Sequence, residues 1–434
     1  MTAMTTQANS VSVPLPFDAT GIAKRFGTPT WVYDAATLER RIADLTREGV
    51  TVRYAQKANS NLALLTIMRS RGVLVDAVTA GEVRRGLAVG YAPEQIVFTA
   101  DLFDDDAIEI VRETGCPVNC GSSDMIGQLA DAGLQHIPVT LRLNPGFGHG
   151  HSQKVNTGGT SSKHGIWHTH LPRCLELGKQ HGVNIRGLHF HIGSGADFDH
   201  LAQVCDAMVD AAKTYVEHQG PGLEVISTGG GLPIPYRKED ASRIDLDRFF
   251  EMWALTRKKI EIIVGRDVEL EVEPGRYLVA ECGYLVTKVR ALKEQGDGDE
   301  AVKYLLIDAG FNDLIRPAMY GAYHHLSVVP ADGRTLDTHE DVVVAGPLCE
   351  SCDVFTQEDG GFVEARRLPA AKVGDLLVIH DAGAYGMAMS SNYNSRRIAA
   401  ETLIVDGQTH EVRRRQSFDD LTKNEVVPAE LTLD

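Results

Sequence analysis

Five short segments of this 434-residue chain carry residues that are suited to catalysis or to anion binding. In chain order they read YAQKAN (54–59), RLNP (142–145), HFHIGS (189–194), GGG (229–231) and EPGR (273–276). Lys57, in the first segment, ends a β-prone run. An amine held there, partly out of water, could lose its proton and attack a carbonyl group. A single lysine is more often a solvated surface residue, so its significance depends on the other segments.

The glycine triplet, Gly229, Gly230 and Gly231, is suited to binding an anion. Backbone N–H groups can approach a phosphate closely where no Cβ stands in the way. Ser194, in the His-Ile-Gly-Ser turn, offers a hydroxyl for the same phosphate. A flexible turn is the alternative interpretation of three glycines.

Glu273 and two histidines indicate a flat, nitrogen-containing cofactor. A carboxylate beside the ring nitrogen of a pyridine keeps that nitrogen protonated and makes the ring an electron sink. An ion pair between Glu273 and Arg276 is the competing interpretation.

His189 and His191 alternate with Phe190, so on a strand they point to one side. They could bind a metal, or one ring could stack on the cofactor. A metal needs more His or Asp ligands, and glycines and Glu273 stand at those places instead.

Strands and helices alternate through the first two-thirds of the chain. Eight β-rich runs cover residues 51–56, 73–78, 96–99, 117–120, 139–144, 186–192, 224–228 and 269–273. Helical spacing covers residues 61–71, 80–89, 104–113, 123–132, 171–181, 198–218 and 246–264. This alternation predicts a parallel sheet with crossover helices, and eight such units over about 250 residues match a (β/α)8 TIM-like barrel. An open, doubly wound sheet is the alternative.

The five segments share one edge of such a barrel. Barrel enzymes carry their active sites at the carboxyl ends of the strands, and the usual phosphate site follows strands seven and eight. The glycine triplet falls after the seventh run. An amine, a phosphate-binding turn, a stacking imidazole and a carboxylate together predict pyridoxal 5′-phosphate, with Lys57 as the Schiff-base lysine.

The pattern changes after residue 284. Strand-like runs continue at 285–290, 303–307, 341–345, 375–380 and 400–405, but long helical crossovers mostly disappear. We expect an α/β plus β chain: a barrel over residues 34–284, and a mainly antiparallel β-barrel or sandwich domain from residues 1–33 and 285–434. The longest expected loop, 146–165, is rich in Gly, His, Ser and Lys. We interpret it as a mobile cover over the site.

Composition restricts the partners and the compartment. With 59 acidic and 43 basic side chains the formal net charge is −16, which disfavours nucleic acid or an anionic membrane as a partner. The sequence has no signal-peptide pattern and no membrane-spanning run, so we expect a cytoplasmic protein.

Seven cysteines without a signal argue against a disulfide framework. Cys349 and Cys352 form a C-x-x-C that could indicate redox chemistry or half a zinc site. It lacks a second pair, so we expect no metal.

The motifs YAQKAN, HFHIGSG, STGGGL, EPGR, AGPLCES and GAYG occur in that order. In this respect the chain resembles the diaminopimelate decarboxylases, within the fold-type III pyridoxal-phosphate decarboxylases, from about residue 27 to 416. LRLNPGFGHGHSQK and SKHGIWH resemble the enterobacterial-type branch. The resemblance implies a barrel, a C-terminal β domain and a head-to-tail homodimer with sites at its interface. It also implies decarboxylation of meso-2,6-diaminopimelate to L-lysine and CO2, the last step of lysine biosynthesis.

The resemblance implies a role for each matching position. The cofactor would be bound by Lys57, His191, Ser194, Gly229, Gly230, Gly231, Glu273, Gly275, Arg276 and Tyr385. The substrate would be bound by Arg276, Arg316, Tyr320, Glu350 and Tyr385. The catalytic residues would be Lys57, His191 and Cys349. Cys349 would donate a proton and Glu350 would bind the distal amine, both from the partner subunit. On the residues alone, Arg316 could be a plain surface arginine and Cys349 a small core residue.

Two positions depart from the common family pattern, and three other functions compete. Gly195 stands where Gln is common, and His164 stands where Phe is common.

An ornithine- or arginine-type decarboxylase would share the rim but bind a distal amine without a carboxylate. A non-catalytic pyridoxal-phosphate carrier would need neither the β domain nor the Cys349–Glu350 pair. A metal-dependent barrel hydrolase would lose activity on chelation.

Overall fold

The computed structural model describes residues 14–148, 157–191, 193, 197–219, 222–237 and 243–431. The chain divides into two compact units. Thr37–Ala280 form one, and Met1–Ala36 with Glu281–Asp434 form the other. The described part of the second unit begins with α1 (Ala19–Phe26) and β1 (Thr30–Asp34), and α2 (Ala35–Leu45) follows.

A nine-stranded parallel sheet forms the Thr37–Ala280 unit. Its strands are β2 (Val50–Ala55), β3 (Leu74–Ala77), β4 (Ile96–Ala100), β5 (Val118–Cys120), β6 (Val139–Asn144), β7 (Ile166–Trp167), β8 (Ile185–Phe190), β9 (Val225–Ser227) and β10 (Glu269–Val272). They are ordered β5-β4-β3-β2-β10-β9-β8-β6, and β5 also pairs with β6, so these eight strands close into a barrel. The short β7 pairs with the end of β6. The predicted barrel is confirmed, and the open sheet is wrong.

The helices of this unit begin and end at residues that favour those positions. They are α3 (Leu62–Ser70), α4 (Ala80–Ala88), α5 (Asp105–Thr114), α6 (Asp124–Asp131), α7 (Leu171–His181), α8 (Phe198–Gln219), α9 (Leu246–Val264) and α10 (Arg276–Val279). Asp104 caps α5 by accepting a hydrogen bond from the N–H of Ala107 at 2.8 Å. Gly265 ends α9 in the left-handed conformation, with φ of 75°.

Buried polar side chains line up near the carboxyl ends of the barrel strands. Consecutive strands contribute Asp76, Thr99, Asn119, Arg142, His189 and Ser227, and Glu273 follows β10. Burying polar groups is costly unless they are paired. A layer with one such residue from almost every strand is therefore where a binding or catalytic site is expected.

The second unit is mainly antiparallel, as predicted. Besides β1 its strands are β11 (Gly283–Gln295), β12 (Val302–Ile307), β13 (Leu326–Val329), β14 (His339–Ala345), β15 (Arg366–Pro369), β16 (Leu376–Ile379), β17 (Ala400–Val405) and β18 (Gln408–Arg413). The main sheet is ordered β15-β14-β12-β11-β1-β17-β18, and β16 joins β11 to β13. Only two of these pairings are parallel, β1 with β17 and β12 with β14. The unit also contains two short helices, α11 (Arg316–Tyr320) and α12 (Asp419–Thr422).

The core of the second unit joins α1 to this sheet. Ala19 and Ile22 of α1 pack with Val32, Val286 and Val378 of three neighbouring strands. Within the described ranges, no helix is both long and apolar enough to cross a membrane.

Candidate active site

Lys57 is the exposed residue of a rigid turn at the barrel rim. It lies in a single helical turn, Gln56–Ala58, directly after β2, and its two neighbours in that turn are buried. The side chain of Gln56 donates to the carbonyl of Glu82 at 3.0 Å, and the hydroxyl of Tyr54 donates to the carbonyl of Asn59 at 2.8 Å. The turn is thus held by two side-chain hydrogen bonds, while the side chain of Lys57 is exposed.

Glu273 is a buried carboxylate held by two donors. One oxygen lies 2.8 Å from Nε2 of His189, and the other accepts from the hydroxyl of Ser227 at 2.8 Å. Burial raises the pKa of Glu273, but the charge and hydrogen bond of His189 and the hydroxyl of Ser227 outweigh it. The pKa therefore lies below its usual range, and Glu273 is ionised. The expected alternative, an ion pair with Arg276, is wrong, because His189 and Ser227 occupy the carboxylate.

Asp76, which the sequence did not indicate, is the second acidic group of this layer. It is 4 % exposed, and its Oδ1 has no hydrogen-bond partner within the described structure. Burial, and then the negative charge of Glu273, raise the pKa of Asp76 to about 7, although the amine of Lys57 acts in the opposite direction. Two buried carboxyl groups in one layer do not both ionise readily, and the proton stays on the group with fewer donors.

His191 is a neutral ring fixed by the glycine triplet. The N–H of Gly230 donates to Nδ1 of His191 at 3.1 Å, so Nδ1 is an acceptor and any ring proton lies on Nε2. Burial, and then the charges of Arg142 and Lys57, lower the pKa of His191 well below its ordinary value. An uncharged, immobile imidazole is suited to stacking on a flat ring.

The triplet itself has glycine at positions where a side chain would collide with backbone. Gly229 and Gly231 have φ of 66° and 99°. An added Cβ would lie 2.4 Å from the carbonyl oxygen of Phe190 at Gly229, and 2.4 Å from that of Glu273 at Gly230. The N–H of Gly229 donates to Ser227 at 3.2 Å and that of Gly230 to His191. Of the three N–H groups of the triplet, only that of Gly231 has no acceptor among the described residues and could bind an anion. The other two glycines are needed because the backbone packs closely around them.

The base of the long loop is tied to the ends of two strands. Asn144, at the end of β6, accepts from the N–H groups of Gly146 and Gly159 at 3.1 and 2.9 Å, and donates to the carbonyls of Gly159 and His164. Nδ1 of His164 lies 2.6 Å from Oδ2 of Asp101. Residues 149–156 of the loop, and Ser194 and Gly195, lie outside the described residues, so the predicted cover and the predicted phosphate hydroxyl stay predictions.

Arg276 follows β10 and opens α10, after Gly275. Its Nη1 donates to the hydroxyl of Tyr236 at 2.8 Å, and its guanidinium lies 5.7 Å from the centre of that ring. Lys57, His191, Glu273 and Arg276 therefore all lie at the same end of the barrel, as the sequence predicted.

The remaining predicted residues belong to the second unit. Arg316 is buried and Tyr320 half-buried on one turn of helix α11, four residues apart and so on one face. Tyr385 has φ of 57°, a strained conformation for a bulky residue that is often kept at functional sites.

Cys349 and Glu350 stand on an exposed turn whose interior is rigid. Asp353 accepts from the N–H groups of Leu348 and Phe311, each at 2.7 Å. The N–H of Cys349 donates to Oδ1 of Asn394 at 3.0 Å. The buried-core interpretation of Cys349 is therefore wrong, since its thiol is exposed and free. The plain-surface interpretation of Arg316 is wrong for the opposite reason, because that side chain is buried.

The barrel residues fit pyridoxal phosphate. An exposed amine, an ionised carboxylate held by two donors, a neutral ring and a glycine turn closed to side chains are the groups that such a cofactor needs for its aldehyde, ring nitrogen, face and phosphate. Sequence reasoning missed the two groups that prepare Glu273: the role of His189 as its partner, and Ser227. The STGGGL motif did contain Ser227, and β-strand alternation could have placed it beside the rim.

A family model for the pyridoxal binding domain of pyridoxal-dependent decarboxylases matches residues 36–280. The chain is therefore a pyridoxal-dependent decarboxylase, and its cofactor is pyridoxal phosphate. A diaminopimelate decarboxylase of Escherichia coli K12 is 51% identical over 408 residues, 93% of this chain and 94% of that protein. One from Streptomyces coelicolor is 51% identical over 94% of this chain and 91% of its own length. A crystal structure of a diaminopimelate decarboxylase superposes with a TM-score of 0.88 at 50% identity, covering 93% of this chain and 95% of that one. The chain belongs to the diaminopimelate decarboxylase family.

Proposed function

We propose that this chain decarboxylates meso-2,6-diaminopimelate to L-lysine and CO2, the last step of lysine biosynthesis. The observation that carries the proposal is the pair formed by the exposed amine of Lys57 and the ionised Glu273 at one end of the barrel. It stands in a chain 51% identical to curated diaminopimelate decarboxylases.

Each barrel residue has one task in holding the cofactor. Pyridoxal phosphate, when bound, draws electrons away from the carbon that loses carbon dioxide. Lys57 would hold its aldehyde carbon, Glu273 would hold its ring nitrogen in the protonated form, and His191 would lie on its face. Gly231 and Ser194 would donate to its phosphate. The bonds from His189 and Ser227 support this arrangement, because they keep Glu273 charged.

Cys349 would supply the proton that replaces carbon dioxide on the substrate carbon. The exposed thiol and the hydrogen bond from its backbone to Asn394 support this role, because a proton donor must be both accessible and fixed. Lys57 would take the cofactor back when the product leaves.

The distal end of the substrate would be recognised by charge. Its carboxylate suits the forked guanidinium groups of Arg276 and Arg316, and its ammonium suits Glu350. Tyr320 would add a hydrogen bond, and Tyr385 would contact both cofactor and substrate. A substrate lacking the distal carboxylate would lose these paired contacts, which is costly.

We further propose a head-to-tail homodimer in which Cys349 and Glu350 act in the partner's site. Their exposure on a rigid turn supports this, because neither residue is used by the core of its own chain. We place the enzyme in the cytoplasm. Seven free cysteines support that compartment, where thiols stay reduced.

The test is substrate choice by the purified holoenzyme. Release of CO2 is measured with meso-2,6-diaminopimelate, L-ornithine and L-arginine, with and without a chelator. We expect kcat/KM for meso-2,6-diaminopimelate to exceed the others by about a thousandfold, with no effect of chelation. Comparable turnover of ornithine would overturn the substrate assignment, and loss of activity on chelation would show that the reaction needs a metal ion.

A further inference from the structure

A buried hydrogen-bonded chain leads from Arg316 into the sheet of the second unit. Nη1 of Arg316 lies 2.9 Å from Nε2 of His324, and Nδ1 of His324 lies 3.0 Å from the carbonyl oxygen of His380. The two side chains are 6 % and 1 % exposed. A guanidinium can only donate and a carbonyl can only accept. His324 must therefore be neutral, with its proton on Nδ1.

The far end of this chain is immobile. His324 lies two residues before β13 and His380 directly follows β16, two strands paired with Leu326 opposite Ile379. The N–H of His380 donates to the carbonyl of His325 at 2.9 Å, and its ring Nε2 lies 2.7 Å from the hydroxyl of Ser327. The carbonyl that orients His324 is thus fixed at the end of β16, beside the sheet. Any movement of the His324 ring would break a buried hydrogen bond.

We propose that His324 is a positioning residue for substrate binding, which fixes the guanidinium of Arg316 in the orientation that receives the distal carboxylate. An arginine side chain has many rotamers, and binding through it is weaker when those rotamers must be restricted on binding. A neutral imidazole that accepts from Nη1 restricts them beforehand and adds no second charge. The inference rests on the proposed function, which assigns Arg316 to the substrate carboxylate.

Two amide substitutions test the two nitrogen atoms of His324 one at a time. In His324→Gln the amide reaches about as far as Nε2, so it can still accept from Arg316. In His324→Asn the amide reaches only about as far as Nδ1, so it can serve His380 but not Arg316. If His324 served only the stability of the sheet, His324→Gln would be the more damaging variant. Asn keeps the contact to the sheet, whereas Gln weakens it.

The holoenzymes are compared by steady-state kinetics and by competitive inhibition. We expect His324→Asn to raise KM for meso-2,6-diaminopimelate about tenfold or more, the effect of losing one hydrogen bond to a charged group, with kcat little changed. His324→Gln should stay close to wild type. Inhibition by L-lysine should weaken in parallel, whereas inhibition by 1,5-diaminopentane, which has no carboxylate, should not change.

A double-mutant cycle with Arg316→Lys keeps the proposal falsifiable if one variant is unstable. If His324 acts through Arg316, then His324→Gln and His324→Asn should add little to the KM of Arg316→Lys. Full additivity, equal KM values for the two amide variants, or equal weakening of lysine and diaminopentane would each overturn the proposal. Failure of the proposed function is seen separately, as inactivity of the wild-type enzyme on meso-2,6-diaminopimelate.

Discussion

Glu273 and Asp76 are both buried carboxyl groups of the barrel, yet their surroundings shift their pKa values in opposite directions. Glu273 has a hydrogen bond on each oxygen, from His189 and from Ser227. Asp76 has an oxygen without a partner among the described residues. The negative charge therefore resides on Glu273, which we propose as the partner of the cofactor nitrogen, and Asp76 keeps its proton up to a pH of about 7. Burial alone would raise the pKa of both, so the donors decide the outcome.

This difference predicts a pH-dependent effect of Asp76→Asn on the cofactor-free protein. Because the folded pKa of about 7 lies above the ordinary 3.8, the unfolded chain loses this proton first as the pH rises. The free energy of unfolding contributed by Asp76 therefore falls as the pH rises from 3.8 to about 7. Asn cannot ionise. We expect the stability gained by the variant over wild type to be clearly larger near pH 8 than near pH 5, where only part of this fall has occurred.

Urea denaturation at the two pH values measures this effect. Asp131→Asn, at the exposed end of α6, is the matched control and should give the same small difference at both pH values. If the difference between Asp76→Asn and wild type is also independent of pH, then Asp76 is already ionised in the folded protein.

Residues in recognisable motifs could be identified from the sequence. The residues that hydrogen-bond to them and set their charge could not. Lys57, His191 and Glu273 are each part of a short motif with a chemical rationale. The partners of Glu273 are 84 and 46 residues away along the chain, on other strands. Their closeness depends on strand register. A single sequence shows that register poorly, because parallel strands are joined by long crossovers.

At the element scale the barrel was predictable because its strands are buried on both faces. Such strands form short apolar runs between helical segments, and all eight were located, including β6 at Val139–Asn144. In the second unit the missed strands are polar or short. Gln408–Arg413 reads QTHEVR and has no apolar pattern, yet it pairs with β17 through the two-residue turn Asp406-Gly407, where both residues have positive φ.

The ends of strands also fix the loops that follow them, and Asn144 is the clearest case. It is 4 % exposed and makes four hydrogen bonds that hold Gly146, Gly159 and His164. We expect Asn144→Ala to lower the free energy of unfolding by about 3 kcal/mol, because several buried backbone groups lose their partner at once. Chemical denaturation gives the value, and amide exchange at Gly146 and Gly159 gives the location.

Asn119→Ala is the matched control for this prediction. Asn119 is just as buried on the neighbouring β5, but its side chain makes one long bond, 3.4 Å to Thr99. We expect its replacement to cost clearly less, because the volume removed is the same and fewer partners are left unpaired. Equal losses for the two variants would assign the effect to the cavity, and the loop would not depend on Asn144.

At the scale of the whole molecule, the proposed site needs residues from both units. Lys57 and Glu273 belong to the barrel unit, and Cys349 and Glu350 belong to the other. A sequence assigns residues to units through motifs, but it does not say which chain completes which site. The Cys349 turn is exposed, and which chain it serves is a question for experiment.

Complementation between two impaired variants tests that arrangement directly. Lys57→Ala should abolish both the visible absorbance of the lysine-bound cofactor and the decarboxylation, and Cys349→Ala should slow turnover while the cofactor stays bound. If each site combines Lys57 of one chain with Cys349 of the other, a mixed dimer has one doubly altered site and one intact site. Random exchange of subunits then restores about a quarter of the wild-type activity, since half of the dimers are mixed and each has one working site. If both residues serve the same chain, mixing restores nothing beyond the residual rate of Cys349→Ala, because every site keeps one of the two substitutions.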